Sequence, residues 1–210
     1  FKIIYENKRL KVLIEEITSS KPEFNHLMAN RKPAWIGPEV EYHQEIYNAG
    51  TFASGASNEE ISKKWVQIYI PLEDEKPDNG GLRIVENSHK LENLQYEDFV
   101  NQNFSHKRRV PVKILNDITQ NKGCFVKDLF LQKGDCLLFS PLLIHGSPSN
   151  GSSQERMSLV MQARPKNFKN NEQVFNQETT IRNNFIIDSM TKAIHTMKEK
   201  NRYVDFNSEK

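Results

Sequence analysis

Cysteine is scarce. Cys124 and Cys136 are too few for a disulfide framework or a thiolate metal cluster, and both lie in apolar stretches that predict buried, reduced thiols. Long hydrophobic runs are also missing: stretches such as Cys136 to Phe139 stop far short of the roughly 20 residues that span a bilayer, so a helical membrane protein is excluded. Neither charge sign is in excess. With 29 Lys+Arg against 27 Asp+Glu, the net charge is +2, too mild for a clustered nucleic-acid surface. The 210 residues do hold 37% hydrophobic and 10% aromatic side chains, enough core for one globular domain. Phe1 opens the chain without a charged, apolar and cleavable series, so a boundary inside a longer chain and a cytoplasmic location are expected.

Leu10, Leu13, Ile14 and Ile17 fall on one face at helical spacing, and the spacing predicts an amphipathic helix over 9–18. From Val40 the texture changes to short runs rich in β-branched and aromatic residues. Strands are expected over 40–46, 65–72, 82–85, 110–115, 123–131, 135–139 and 157–163. Turn signals separate them, among them Asp78-Asn79-Gly80-Gly81 and Lys133-Gly134-Asp135, which points to a sandwich or barrel. Helices are expected as an insertion over 91–103 and as a closing element over 180–200, and the Asn-rich stretch 166–176 reads as mobile. No repeat or linker divides the chain, so a single domain over 1–210 is expected.

Six histidines are present: His26, His43, His89, His106, His145 and His195. In His43-Gln44-Glu45, residues i and i+2 of a strand share a face, so an imidazole and a carboxylate can meet one metal ion. Chance alone supplies about one such match, so the motif is weak by itself. His145 closes the segment 133–144, a turn, a strand and a short apolar run, and Arg156 stands at the mouth of the strand Met157 to Ala163. An arginine entering a core strand needs a carboxylate partner, from the protein or from a ligand. Two histidines, one carboxylate and a nearby arginine match the facial triad of non-haem Fe(II) oxygenases with a dicarboxylate co-substrate.

On these residues the sequence resembles the phytanoyl-CoA dioxygenase family of Fe(II)/2-oxoglutarate-dependent oxygenases, from about Asn30 to Ala163. Four stretches carry the likeness: Glu41-Tyr42-His43-Gln44-Glu45; Trp65 to Leu72 followed by Asp78-Asn79-Gly80-Gly81 and Glu86-Asn87-Ser88-His89-Lys90; Gly134-Asp135 through His145-Gly146-Ser147; and Arg156, eleven residues after His145. The resemblance implies a double-stranded β-helix, a jelly-roll barrel with buttressing helices. It further implies Fe(II) held by His43, Glu45 and His145, and 2-oxoglutarate anchored by Arg156 and Ser147, with Asn30 and Tyr69 lining the co-substrate pocket. The implied reaction uses O2 to hydroxylate an unactivated C–H of a small-molecule substrate, releasing succinate and CO2. Neither nucleic acid nor membrane is an expected partner.

Two departures from the family pattern stand out. Glu45 replaces the usual Asp, and its extra methylene demands a retracted rotamer or a shifted iron. Glu86-Asn87 replaces Pro-Gly, so that turn is expected to differ locally. A carboxylate at 45 favours hydroxylation over halogenation, which needs a small residue there. The competing readings are a non-catalytic barrel that binds a small acid or sugar, and a cupin-type metal isomerase or hydrolase, which would not need Arg156 at that spacing. Gln67 shares a strand face with Tyr69 and is read either as a pocket residue or as an edge polar residue. Arg83 points into the barrel or out of it, His89 and His195 are read as structural, and His106-Lys107-Arg108-Arg109 is read as a solvated face.

Overall fold

The computed structural model describes residues 2–47, 57–91, 94–98 and 108–165. The chain divides into two units, Phe1–Lys169 and Asn170–Lys210, and every described residue belongs to the first. The expected closing helix, the Asn-rich stretch, His106, Lys107, His195 and most of the segment 91–103 lie outside the described residues.

The strands are β1 (Pro22–Lys32), β2 (Val40–His43), β3 (Val66–Pro71), β4 (Arg83–Glu86), β5 (Glu97–Asp98), β6 (Arg108–Arg109), β7 (Phe125–Asp128), β8 (Leu137–Phe139), β9 (His145–Ser147) and β10 (Arg156–Pro165). Two four-stranded sheets, ordered β1-β10-β3-β8 and β2-β9-β4-β7, alternate along the chain, and every pairing is antiparallel. This is the expected double-stranded β-helix. The helices are α1 (Lys2–Tyr5), α2 (Lys8–Thr18), α3 (Asn58–Lys64) and α4 (Val112–Asn121).

Alternation along the strands sorts side chains into an outer and an inner set. Val66 and Ile68 of β3, with Met161 and Ala163 of β10, point outward and pack against Ile14 of α2, with Leu138 of β8 beside them. Tyr69, Val160, Leu137 and Phe139 point the other way and meet Leu82 and Ile84 across the barrel. A third cluster joins Val85 and Ile144, on the outer side of the second sheet, to Ile118 of α4 and to Trp65. The inner face between the two sheets is therefore left for the site.

Several expectations need correction. The segment 110–115 is not a strand: Pro111 caps α4, and Ile114, Leu115 and Ile118 recur at helical spacing against the core. In the segment 91–103 the described residues include β5, paired with β6, in place of a helix. The strand expected over 40–46 ends at His43 and gives way to a 3₁₀ turn, Glu45–Tyr47. Helix α2 buries Ile14 and Thr18, while Leu13 and Ile17 stay exposed. Cys124 is buried as expected, but Cys136, one residue before β8, is exposed. Neither β1 nor α3 was anticipated from the sequence. No described helix is long and apolar enough to cross a membrane.

Candidate metal centre

His43 ends β2 and stands directly opposite His145 at the start of β9, so strand pairing itself brings the two rings together. Their centroids are 4.4 Å apart and tilted by 52°. Each ring turns its Nδ1 to the carbonyl two residues earlier: His43 to Glu41 at 2.7 Å and His145 to Leu143 at 3.0 Å. With Nδ1 donating a proton to each carbonyl, each Nε2 carries a lone pair into the barrel. Glu45 reaches the same point. Its Oε1 lies 3.5 Å from His43 Nε2 and 3.3 Å from His145 Nε2, and the three ligand atoms fall within 4.8 Å of one another.

The 3₁₀ turn accounts for the longer acid. By leaving the strand after His43, the backbone lets the glutamate side chain place its oxygen between the two imidazoles. Burial works to raise the Glu45 pKa, but hydrogen bonding and charge from the His145 and His43 rings, when these are protonated, outweigh it and hold the carboxyl well below its ordinary range. Burial, with His43 beside it, lowers the pKa of His145. A deprotonated carboxylate and neutral imidazoles are the states that ligate a metal. Two lone pairs and a carboxylate converging on one point repel unless a cation stands between them, so the donor set fits a divalent ion with a nitrogen–oxygen preference.

Two positioning residues fall inside the stretches that carry the resemblance, although the sequence assigns neither a role. Gln44, between the ligands and fully buried, donates to the Leu142 carbonyl at 2.7 Å and accepts from Leu94 N–H at 3.0 Å, tying β2 to the segment that enters β9. Ser88, also fully buried, accepts the Ile144 N–H at 2.8 Å, one residue before His145. Their places in those motifs mark them, but the partners they bond are visible only in the fold. The turn that carries Ser88 keeps a left-handed residue, Asn87 at φ 68°, a conformation that asparagine tolerates where most residues do not. His89 lies in the same turn and is exposed, away from the ligands.

Arg156 opens β10 on the inner face and is buried. Its Nη1 donates to Tyr69 Oη at 2.9 Å and to Ser158 Oγ at 3.1 Å, and Nη2 donates to the Gly80 carbonyl. The nearest acid is the protein's own: Glu75 Oε1 lies 3.5 Å from Arg156 Nε and accepts from Tyr69 Oη at 2.6 Å. Asn30 stands opposite Ser158, on the same face. Ser147 follows His145 by one strand repeat, about 7 Å along β9. The phenyl ring of Phe139 meets the His145 ring edge-on at 5.0 Å, and Phe139 stands opposite Gln67. Gln67 is a barrel-interior residue, fully buried, with both amide atoms lacking a hydrogen-bond partner. Arg83 takes the outer face, paired with Asp128 at 2.5 Å, and lies outside the site. Arg109 pairs with Glu97 and Glu41, and Arg108 lies near Asp98 and over the Tyr96 ring, so the described half of the basic cluster is engaged with acids and an aromatic.

A family model described as phytanoyl-CoA dioxygenase (PhyH) matches residues 6–158. The chain belongs to this family. Phytanoyl-CoA dioxygenase-type proteins are non-haem Fe(II)/2-oxoglutarate oxygenases, and the His43, Glu45 and His145 cluster is the triad that such a cofactor set uses. Among solved structures, the chain is similar to EctD from S. alaskensis with 2-oxoglutarate and 5-hydroxyectoine, at TM-score 0.62 and 14% identity over 80% of this chain and 53% of that one. It is also similar to the non-heme monooxygenase ThoJ, at 0.59 and 16% over 78% and 54%. A third likeness is to SnoN, a non-heme alpha ketoglutarate dependent epimerase from nogalamycin biosynthesis, at 0.55 and 16% over 78% and 57%. These similarities establish the double-stranded β-helix. The chain spans only between 32% and 61% of the length of the first solved relatives. No curated protein matches it by sequence.

Proposed function

We propose that this phytanoyl-CoA dioxygenase-type chain is an Fe(II)- and 2-oxoglutarate-dependent dioxygenase that hydroxylates an unactivated C–H of a small-molecule substrate, with release of succinate and CO2. The observation that carries the reading is the convergence of His43 Nε2, His145 Nε2 and Glu45 Oε1, with both Nδ1 atoms facing backbone carbonyls. Iron with 2-oxoglutarate supplies the activation of O2, and the residues supply position. Glu41 and Leu143 carbonyls fix the ring orientations, so each imidazole presents one nitrogen without needing to reorganise. Phe139 packs on the His145 ring and limits its rotation.

At the deeper end Arg156 takes the distal carboxylate of 2-oxoglutarate, with Ser147 and Asn30 beside it on inner faces. Tyr69, engaged by both Arg156 and Glu75, acts by holding the guanidinium in place. The inner wall between the two ends is apolar, built from Leu82, Val160, Ile84, Leu137 and Phe139, which excludes bulk water from the path. With a carboxylate at position 45 the ligand set is complete on the protein side, which favours hydroxylation over halogenation.

The test is metal content. His43→Ala and His145→Ala should each abolish Fe(II) binding by anaerobic titration, while thermal melts report a folded chain. Unchanged iron content in both variants would sink the triad and favour the non-catalytic barrel.

A further inference from the structure

Next to the anchoring arginine lies a second buried cation that the family pattern leaves unassigned. Lys32 stands directly opposite Arg156 in the β1–β10 pairing and is buried. Its Nζ donates to the carbonyl of Ser147, the last residue of the metal-side strand β9, at 3.2 Å and to the carbonyl of Pro148, the residue after it. The stem runs through a channel that two glycines keep open. A Cβ on Gly37 would lie 2.7 Å from Lys32 Cβ, and one on Gly80 would lie 2.8 Å from Lys32 Cδ. The side chain therefore occupies a built slot and not a chance fold of a surface lysine.

Charge at this end does not balance once Lys32 is protonated. Arg156 and Lys32 are then two cations beside one buried acid, Glu75, which accepts from Tyr69 Oη at 2.6 Å and from the Leu82 N–H at 3.2 Å. Glu39, which also acts on Lys32 through charge, is exposed and screened by solvent. Burying an ion without an opposite charge beside it is costly even where carbonyls accept its hydrogen bonds. With Lys32 protonated, this end of the barrel is short of one negative charge.

We propose that Lys32 and Glu75 set the charge of the Arg156 pocket so that it accepts a ligand end carrying one carboxylate and discriminates against neutral ends. The inference rests on the co-substrate reading above. Lys32 acts as a positioning residue through its charge and through the Ser147–Pro148 carbonyls, and Glu75 offsets one of the two cations. The site thereby matches a single carboxylate by counting, where Arg156 alone beside Glu75 would be already neutral.

Opposite signs follow for the two residues. In Fe(II)-loaded, anaerobic full-length chain, calorimetric titration with 2-oxoglutarate should show Lys32→Met binding weaker by about tenfold or more, and Glu75→Gln binding tighter by about threefold or more. The double variant should return to within about threefold of the parent, because the charge count is restored. 2-Oxobutyrate, which keeps the keto acid and lacks the distal carboxylate, should bind all four proteins alike. Should Glu75→Gln fail to fold, the parent protein supplies a second readout. Burial first, then Arg156, pushes the Lys32 pKa down to about 7, with Glu39 and Glu75 opposing, so binding of the anion near pH 8 should take up a proton that Lys32→Met does not take up. Loss of affinity in Glu75→Gln equal to that in Lys32→Met, an equal response of 2-oxobutyrate, or no proton uptake would overturn the inference. A parent chain that binds iron but not 2-oxoglutarate would overturn the co-substrate reading itself and take this inference with it.

Discussion

At the residue scale, the proposed function gives the chemistry to His43, His145 and Arg156 and the precision to their polar neighbours. Ser88 is one such neighbour: Ser88→Ala leaves the buried Ile144 N–H without its acceptor, for a loss of about 1–3 kcal/mol in urea unfolding. A stability within error of the parent would show that another group replaces the hydroxyl. Lys32 gives the pH prediction. Its native pKa of about 7 lies below its ordinary 10.5, so between those values the unfolded chain binds a proton that the native chain does not. Stability of the ligand-free protein should therefore rise with pH across that window, and Lys32→Met should flatten the rise. A fall in stability through the same window that disappears in Lys32→Met would contradict the assignment. The candidate ligands, which the fold brings together, were legible in the sequence because His-x-Glu, a later histidine and an arginine at a fixed spacing form a pattern. Lys32 and Glu75 fall in no such pattern, and the roles of Gln44 and Ser88 within theirs depend on distant partners: only the fold brings Lys32 to Ser147 or Ser88 to Ile144.

At the scale of elements, the centre depends on β2 and β9 keeping register, since His43 and His145 meet as direct partners. Gln44 ties those strands together, so Gln44→Leu should lower Fe(II) affinity by about tenfold or more while the chain stays folded. Unaltered affinity would mean that strand pairing alone holds the register. The turn after β4, which carries Ser88, gives a separate test. Asn87 is left-handed, so Asn87→Gly should be tolerated and Asn87→Val should cost about 1–2 kcal/mol by urea unfolding. Equal stability of the two would remove the conformational argument.

Strands with an apolar, β-branched texture were legible, and β3 and β10 fall close to where periodicity predicts them. Strand β1 was not. Its inner face bears Asn30 and Lys32, its outer side Phe24 and Leu27, and a register shift between Asn25 and Met28 breaks the two-residue period. Helix α4 misled for the opposite reason, because Val110, Val112 and Ile114 give a β-like texture to a segment whose Pro111 and later Ile118 mark a helix.

At the scale of the whole molecule, the barrel divides its interior by function. Two imidazoles and a carboxylate gather at one end, an apolar wall follows, and a buried charged group lies beyond it. That order suits a ligand with a chelating head and one anionic tail. The most direct measurement is anaerobic titration of the purified chain with Fe(II) and 2-oxoglutarate, read by the weak visible charge-transfer band of the chelate. The account predicts that the band appears at one iron per chain and that Arg156→Ala loses it at the same 2-oxoglutarate concentration. Absence of the band in folded, iron-loaded protein, or a band indifferent to Arg156→Ala, would contradict it.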